Sequence, residues 1–192
     1  MFKISTIKRV IALALAATLC AGLLAGCSGG GYKKPLDTLI KATKTGKSDL
    51  IFDLALPDFL NEKVLDEPDG KKALRDAKKE LDEMFEDGKE NLKDRFGKNW
   101  KMTYEIDYAA RYEKDELIDL AEDWDDRYGP FEKTPKFQDA YDLEVEFTYK
   151  GSKSDSTRNF DMTLIKYKGK WYIDPENLDE MGLLYLYDLG LY

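Results

Sequence analysis

The chain has 192 residues, 38 acidic side chains against 30 Lys and Arg, a formal charge of −8 and no histidine. Without histidine, and with two cysteines only, it has no Ser-His-Asp or Cys-His nucleophilic device and lacks the usual ligands of zinc sites. The acidic balance argues against nucleic acid as a partner, because phosphate binding needs clustered Lys and Arg.

The first 33 residues differ in character from the rest. MFKISTIKRV carries Lys3, Lys8 and Arg9 and no acid, and Val10 to Ala25 is apolar and uncharged, the pattern of a secretory signal peptide. The uncharged run through Gly26 has 17 residues, the short edge of a membrane span, and ends in small residues rather than a basic flank. Leu24-Ala25-Gly26-Cys27 resembles the bacterial lipobox, a branched apolar residue, two small residues and a cysteine. The resemblance implies cleavage between Gly26 and Cys27 and a diacylglyceryl group on the Cys27 thiol. Two acyl chains anchor stably where one does not, at about 0.8 kcal/mol per buried methylene. The expected organisation is therefore a signal peptide over 1–26, a lipidated cysteine and leash over 27–33, and one domain over 34–192 on the extracytoplasmic face of a membrane. Losing Lys3, Lys8 and Arg9 takes the charge from −8 to −11. Cys20 leaves with the signal, so no thiol remains to pair. Ser28-Gly29-Gly30-Gly31 with Tyr32 to Lys34 spans at most roughly 25 Å.

In KKPLDTLIKATKTG, Leu36, Leu39, Ile40 and Thr43 share a helical stripe that ends at Gly46. A second short helix is expected from Ser48 as N-cap, through Leu50, Ile51, Leu54 and Ala55, with Asp58 to Leu60 closing it after Pro57. Glu67-Pro68-Asp69-Gly70 is a turn. KKALRDAKKELDEMFEDGKENLKDRFG then places Leu74, Ala77, Leu81, Met84, Phe85, Leu92 and Phe96 at three- and four-residue spacing. Its charged face offers the pairs Lys72–Asp76 and Lys78–Asp82, and Gly88 is a candidate kink.

The period then becomes two. In MTYEIDYAARY, Met102, Tyr104, Ile106, Tyr108, Ala110 and Tyr112 fall on one face. A helix returns over 114–128 and stops at Gly129-Pro130. AYDLEVEFTYKG alternates Tyr141, Leu143, Val145, Phe147 and Tyr149 against Asp142, Glu144, Glu146, Thr148 and Lys150. After a polar loop come Phe160, Met162 and Leu164, a Lys168-Gly169-Lys170 turn, then Trp171 and Ile173, a meander of antiparallel strands.

Helices, a strand, a helix and then hairpins indicate an α+β fold with helices packed on one face of a curved sheet. This layout and the closing YKGKWYID resemble the nuclear transport factor two-like fold of small lipoproteins, a cone of sheet around helices. A cystatin-like helix-on-sheet domain shares most of the pattern and stays open as an alternative.

The resemblance implies a cavity at the wide end of the cone. Tyr104, Tyr108, Tyr112, Tyr141, Phe147, Tyr149 and Trp171 are the candidate lining of an apolar pocket, or the core itself. Isomerases resembling this fold set a carboxylate base beside a tyrosine donor. Here alternation sends the strand carboxylates Glu105, Asp107, Asp142, Glu144 and Glu146 to the face opposite the tyrosines. Glu122-Asp123-Trp124-Asp125-Asp126 fans out around a helix and lacks the glycine of a calcium loop, so it reads as a solvated helix end. No metal or cofactor is expected. In the tail, Leu183, Leu184, Tyr185, Leu186 and Tyr187 either cap the domain or form an interface. The expected function is non-enzymatic, a membrane-anchored lipoprotein that binds a small apolar ligand or an envelope protein. The alternatives are an isomerase- or hydratase-like enzyme in the cone, and an accessory subunit that docks through the tail.

Overall fold

The apolar periodicity of residues 34–96 folds into four helices in a computed structural model that describes residues 30–191. The expected lipobox, with Gly26 and Cys27, lies outside the described residues, and residues from Tyr32 onward form one compact unit. Helix α1 (Lys34–Thr45) carries Pro35 in its first turn and buries Leu36, Leu39 and Ala42. It ends at Gly46, whose φ of 66° lets its N–H turn back to the Ala42 carbonyl at 2.7 Å.

Helix α2 (Ser48–Ala55) begins one residue before the expected position, and Ser48 is its first residue instead of its cap. The Ser48 N–H donates to Asp82 Oδ1 of the long helix at 3.1 Å, so a neighbouring carboxylate does the capping. Asp58 to Leu60 do not close this helix. Pro57 breaks the chain and Asp58 opens a third helix, α3 (Asp58–Asp66), where its charge complements the helix N-terminus. Helix α4 (Gly70–Phe96) runs unbroken through Gly88. The expected Lys78–Asp82 pair is replaced by contacts to α2: Lys78 reaches Asp49 at 2.7 Å while Asp82 serves Ser48.

Strands β1 (Lys101–Arg111), β2 (Asp139–Lys150), β3 (Asp155–Tyr167) and β4 (Lys170–Ile173) form an open antiparallel sheet in the order β1-β2-β3-β4. The last hairpin turns on Lys168 and Gly169, both at positive φ, as a two-residue connection requires. Helix α5 (Glu116–Tyr128) lies between β1 and β2 in the chain. Helix α6 (Pro175–Glu180) follows β4; Asp174 caps it and Pro175 starts it.

On β2, Leu143, Val145 and Phe147 are buried, and across the ladder Met162 and Leu164 share their face. Towards β4 the sheet is covered on both sides, because the consecutive residues Leu164 and Ile165, then Tyr172 and Ile173, are all buried. Helix α1 touches β1 and β4, and α2 touches α1, α4 and β4. The tail folds back on this core. Leu184, Leu186, Leu189 and Leu191 are buried while Tyr187 is 83% exposed.

Candidate functional site

The alternation of β1 does not survive pairing with β2. Tyr104 sits opposite Phe147 and Ile106 opposite Val145, but a bulge at Asp107 brings Tyr108 opposite Glu144 and Ala110 opposite Asp142. One extra residue inverts every side chain beyond it. Tyr108 is therefore 55% exposed on the carboxylate face, not part of an inward pocket. Tyr112 follows the same shift: its hydroxyl donates to Asp142 Oδ2 at 2.8 Å, and Thr163 Oγ1 donates to the other oxygen at 2.8 Å. The expectation that tyrosines and carboxylates occupy opposite faces fails for this end of β1. Burial and Asp142 push the Tyr112 hydroxyl above its ordinary range.

The remaining predicted pocket residues separate into four places. Phe147 is fully buried in the core. Tyr141 stacks on Tyr32 with centroids 4.3 Å apart, and Trp171 closes this trio at 6.4 Å from Tyr32. Tyr104 donates to Asp37 of α1 at 3.2 Å; burial, then Asp37, pushes its pKa up to about 12. Tyr149 alone lines an apolar groove of about 360 Å³.

That groove runs between α4, the outer part of the sheet and the start of the tail. From α4 come Met84, Phe85, Gly88, Leu92, Arg95 and Phe96; from the strands Met102, Tyr149, Ser156, Arg158 and Phe160; from the tail Met181, Gly182 and Leu183; and from α1 Thr43. Gly88 opens it. Leu81, Phe85, Gly88, Leu92 and Phe96 follow one stripe, and a Cβ on Gly88 would meet no atom within 4 Å. Tyr149 is wedged between the Phe96 ring at 5.7 Å and the Trp100 ring at 6.2 Å. Burial raises its pKa, and the Arg158 guanidinium draws it back. No carboxylate lines the groove.

Of three larger clefts, two are strongly charged. One of about 620 Å³ over Phe52 and Tyr172 carries Asp53, Asp58, Lys78 and Lys170, and one of about 800 Å³ beside Phe59 carries Glu62, Lys63, Asp66, Glu67, Glu132 and Lys133. The third, about 470 Å³ along Leu117, Ile118 and Ala121 of α5, is apolar but holds none of the predicted pocket residues. The deepest carboxylate among the described residues, Asp174, lines none of these clefts. It accepts from the Tyr128 hydroxyl at 2.5 Å, from Arg127 Nη2 at 3.0 Å and from the Glu176 N–H at 3.1 Å. Burial pushes its carboxyl upward against the pull of Arg127.

Of the five tail residues proposed as an interface, Leu184 and Leu186 belong to the core, so a partner cannot reach them. Tyr185 and Tyr187 are exposed, and Leu183 rims the groove. Sequence reading passed over Arg158, which precedes the apolar stripe of β3, and expected Gly88, which interrupts that of α4, only as a kink. Among the described residues no helix is long and apolar enough to cross a membrane. Compared with protein-family models, curated proteins and solved structures, the chain finds no match.

Proposed function

We propose that this chain is an extracytoplasmic lipoprotein, freed of a signal peptide at Gly26 and anchored through Cys27, whose domain binds a small apolar ligand without transforming it. The lipobox carries the anchoring half of this reading. The binding half rests on one observation: the groove beside α4 is apolar and holds no acid or base pair that could move a proton. The nuclear transport factor two-like cone belongs to the same proposal, with helices on an antiparallel sheet in its support.

Metabolic labelling with an alkyne fatty acid tests the anchor. Wild-type chain takes the label and partitions with membranes, and Cys27→Ala loses both properties; label retained by Cys27→Ala refutes lipidation at that thiol. Native mass spectrometry of the chain released gently from membranes tests binding. A small molecule that dissociates on denaturation supports the reading, and a bare chain redirects it to protein partners at Tyr185 and Tyr187.

A further inference from the structure

Five arginines lie among the described residues: Arg75, Arg95, Arg111, Arg127 and Arg158. Three are neutralised. Arg75 pairs with Asp76, Arg111 with Asp139, and Arg127 with Asp123, Asp174 and Glu176. The other two, Arg95 and Arg158, make no ion pair among the described residues, and both line the apolar groove.

What sets these two apart from the other described cations without an ion pair is their place in the lining of this apolar groove. The groove excludes acids from its lining altogether. Arg158 falls on β3 in the same file as Phe160 and Met162, a position opposite Phe147 that alternation would fill with an apolar residue. Arg95 lies over the Phe96 ring at 5.2 Å. Guanidinium groups are the preferred partners of carboxylates, which they hold with two parallel hydrogen bonds.

Building on the proposed binding role, we infer that the occupant is a single-chain amphiphile with a carboxylate head, a free fatty acid, whose head meets Arg95 and Arg158 and whose hydrocarbon lies along Met84, Gly88 and Leu92. The volume, about 360 Å³, is near the lower end of the roughly 300–1,000 Å³ of small-molecule sites, which suits one chain better than two. The open space over Gly88 is where the hydrocarbon crosses the helix.

Photocrosslinking in cells that express the full chain tests this directly. Two diazirine probes of equal chain length are used, one a fatty acid and one the corresponding fatty alcohol, and crosslinks are mapped by peptide mass spectrometry. The expected result is crosslinks on the α4 peptide around Met84–Leu92 from the acid probe. Labelling should be about tenfold weaker from the alcohol and in the double variant Arg95→Gln/Arg158→Gln, the factor expected when a charge-assisted hydrogen bond is lost. Both arginines are exposed, so an unchanged melting temperature will certify that the variant is folded. Equal groove labelling by both probes, undiminished in the double variant, overturns the carboxylate head while leaving the apolar site standing. No groove labelling by either probe overturns the site together with the head.

Discussion

At the scale of single residues, buried charge and its partners hold the second half of the domain. Asp174 ties α5 to the start of α6 through Tyr128, Arg127 and the Glu176 amide. Removing one member of a buried pair strands the other and costs roughly 3–5 kcal/mol. Asp174→Ala should lower the unfolding free energy by that amount in urea titrations, whereas Tyr128→Phe, which removes one hydroxyl, should cost about 1–3 kcal/mol. Tyr104 makes a pH prediction. Its folded pKa, about 12, lies above its ordinary value of 10.0, so the folded state holds the proton more tightly. The stability it lends is complete below pH 10 and is lost as pH rises towards 12. Tyr104→Phe should therefore flatten the alkaline limb of the stability curve between those values; an unchanged slope would assign the loss to other groups.

At the scale of elements, Gly88 separates folding from binding. It lies inside a 27-residue helix, where glycine costs roughly 0.5–1 kcal/mol relative to alanine, and its Cβ position is open. Gly88→Ala should stabilise the protein by about that amount in thermal or urea unfolding. Gly88→Leu should keep the fold and fill the groove, so groove crosslinking should fall away without a drop in melting temperature. A loss of stability in Gly88→Leu would mean that the groove is closed in solution. The elements themselves were largely written in the sequence. Stripes at three and four residues marked α1, α2, α4 and α5, and strict alternation marked β2. What failed was anything fixed by a partner element. Nothing in MTYEIDYAARY interrupts its alternation, because the bulge at Asp107 arises from register against β2. Ser48 reads as a cap until Asp82 of α4 arrives to replace it. The groove was legible only as a gap in the apolar stripe of α4 at Gly88 and an arginine, Arg158, ahead of the stripe of β3, which have meaning once α4 and β3 are side by side.

At the scale of the whole molecule, the tail is part of the core, not an appendage. Leu184, Leu186, Leu189 and Leu191 are each at most 3% exposed, and burial of one leucine contributes roughly 1.5–3 kcal/mol. Their sum is comparable with the roughly 5–15 kcal/mol of net stability of a typical domain. Truncation before Leu184 should abolish the cooperative unfolding transition seen by circular dichroism, while Tyr185→Ser/Tyr187→Ser, on the exposed side of the same segment, should leave it intact. A truncated chain that still unfolds cooperatively would return the tail to the role of a docking segment.

The position of those leucines also sets an order of events in synthesis. A chain leaves the ribosome from its N-terminus, so helices α1 to α6 and all four strands emerge ahead of residues 184–191. Until those residues follow, the nascent domain lacks four of its core side chains. A polypeptide without these side chains in place is easier to thread through a narrow conduit than the closed domain, in which residues 184–191 complete the core.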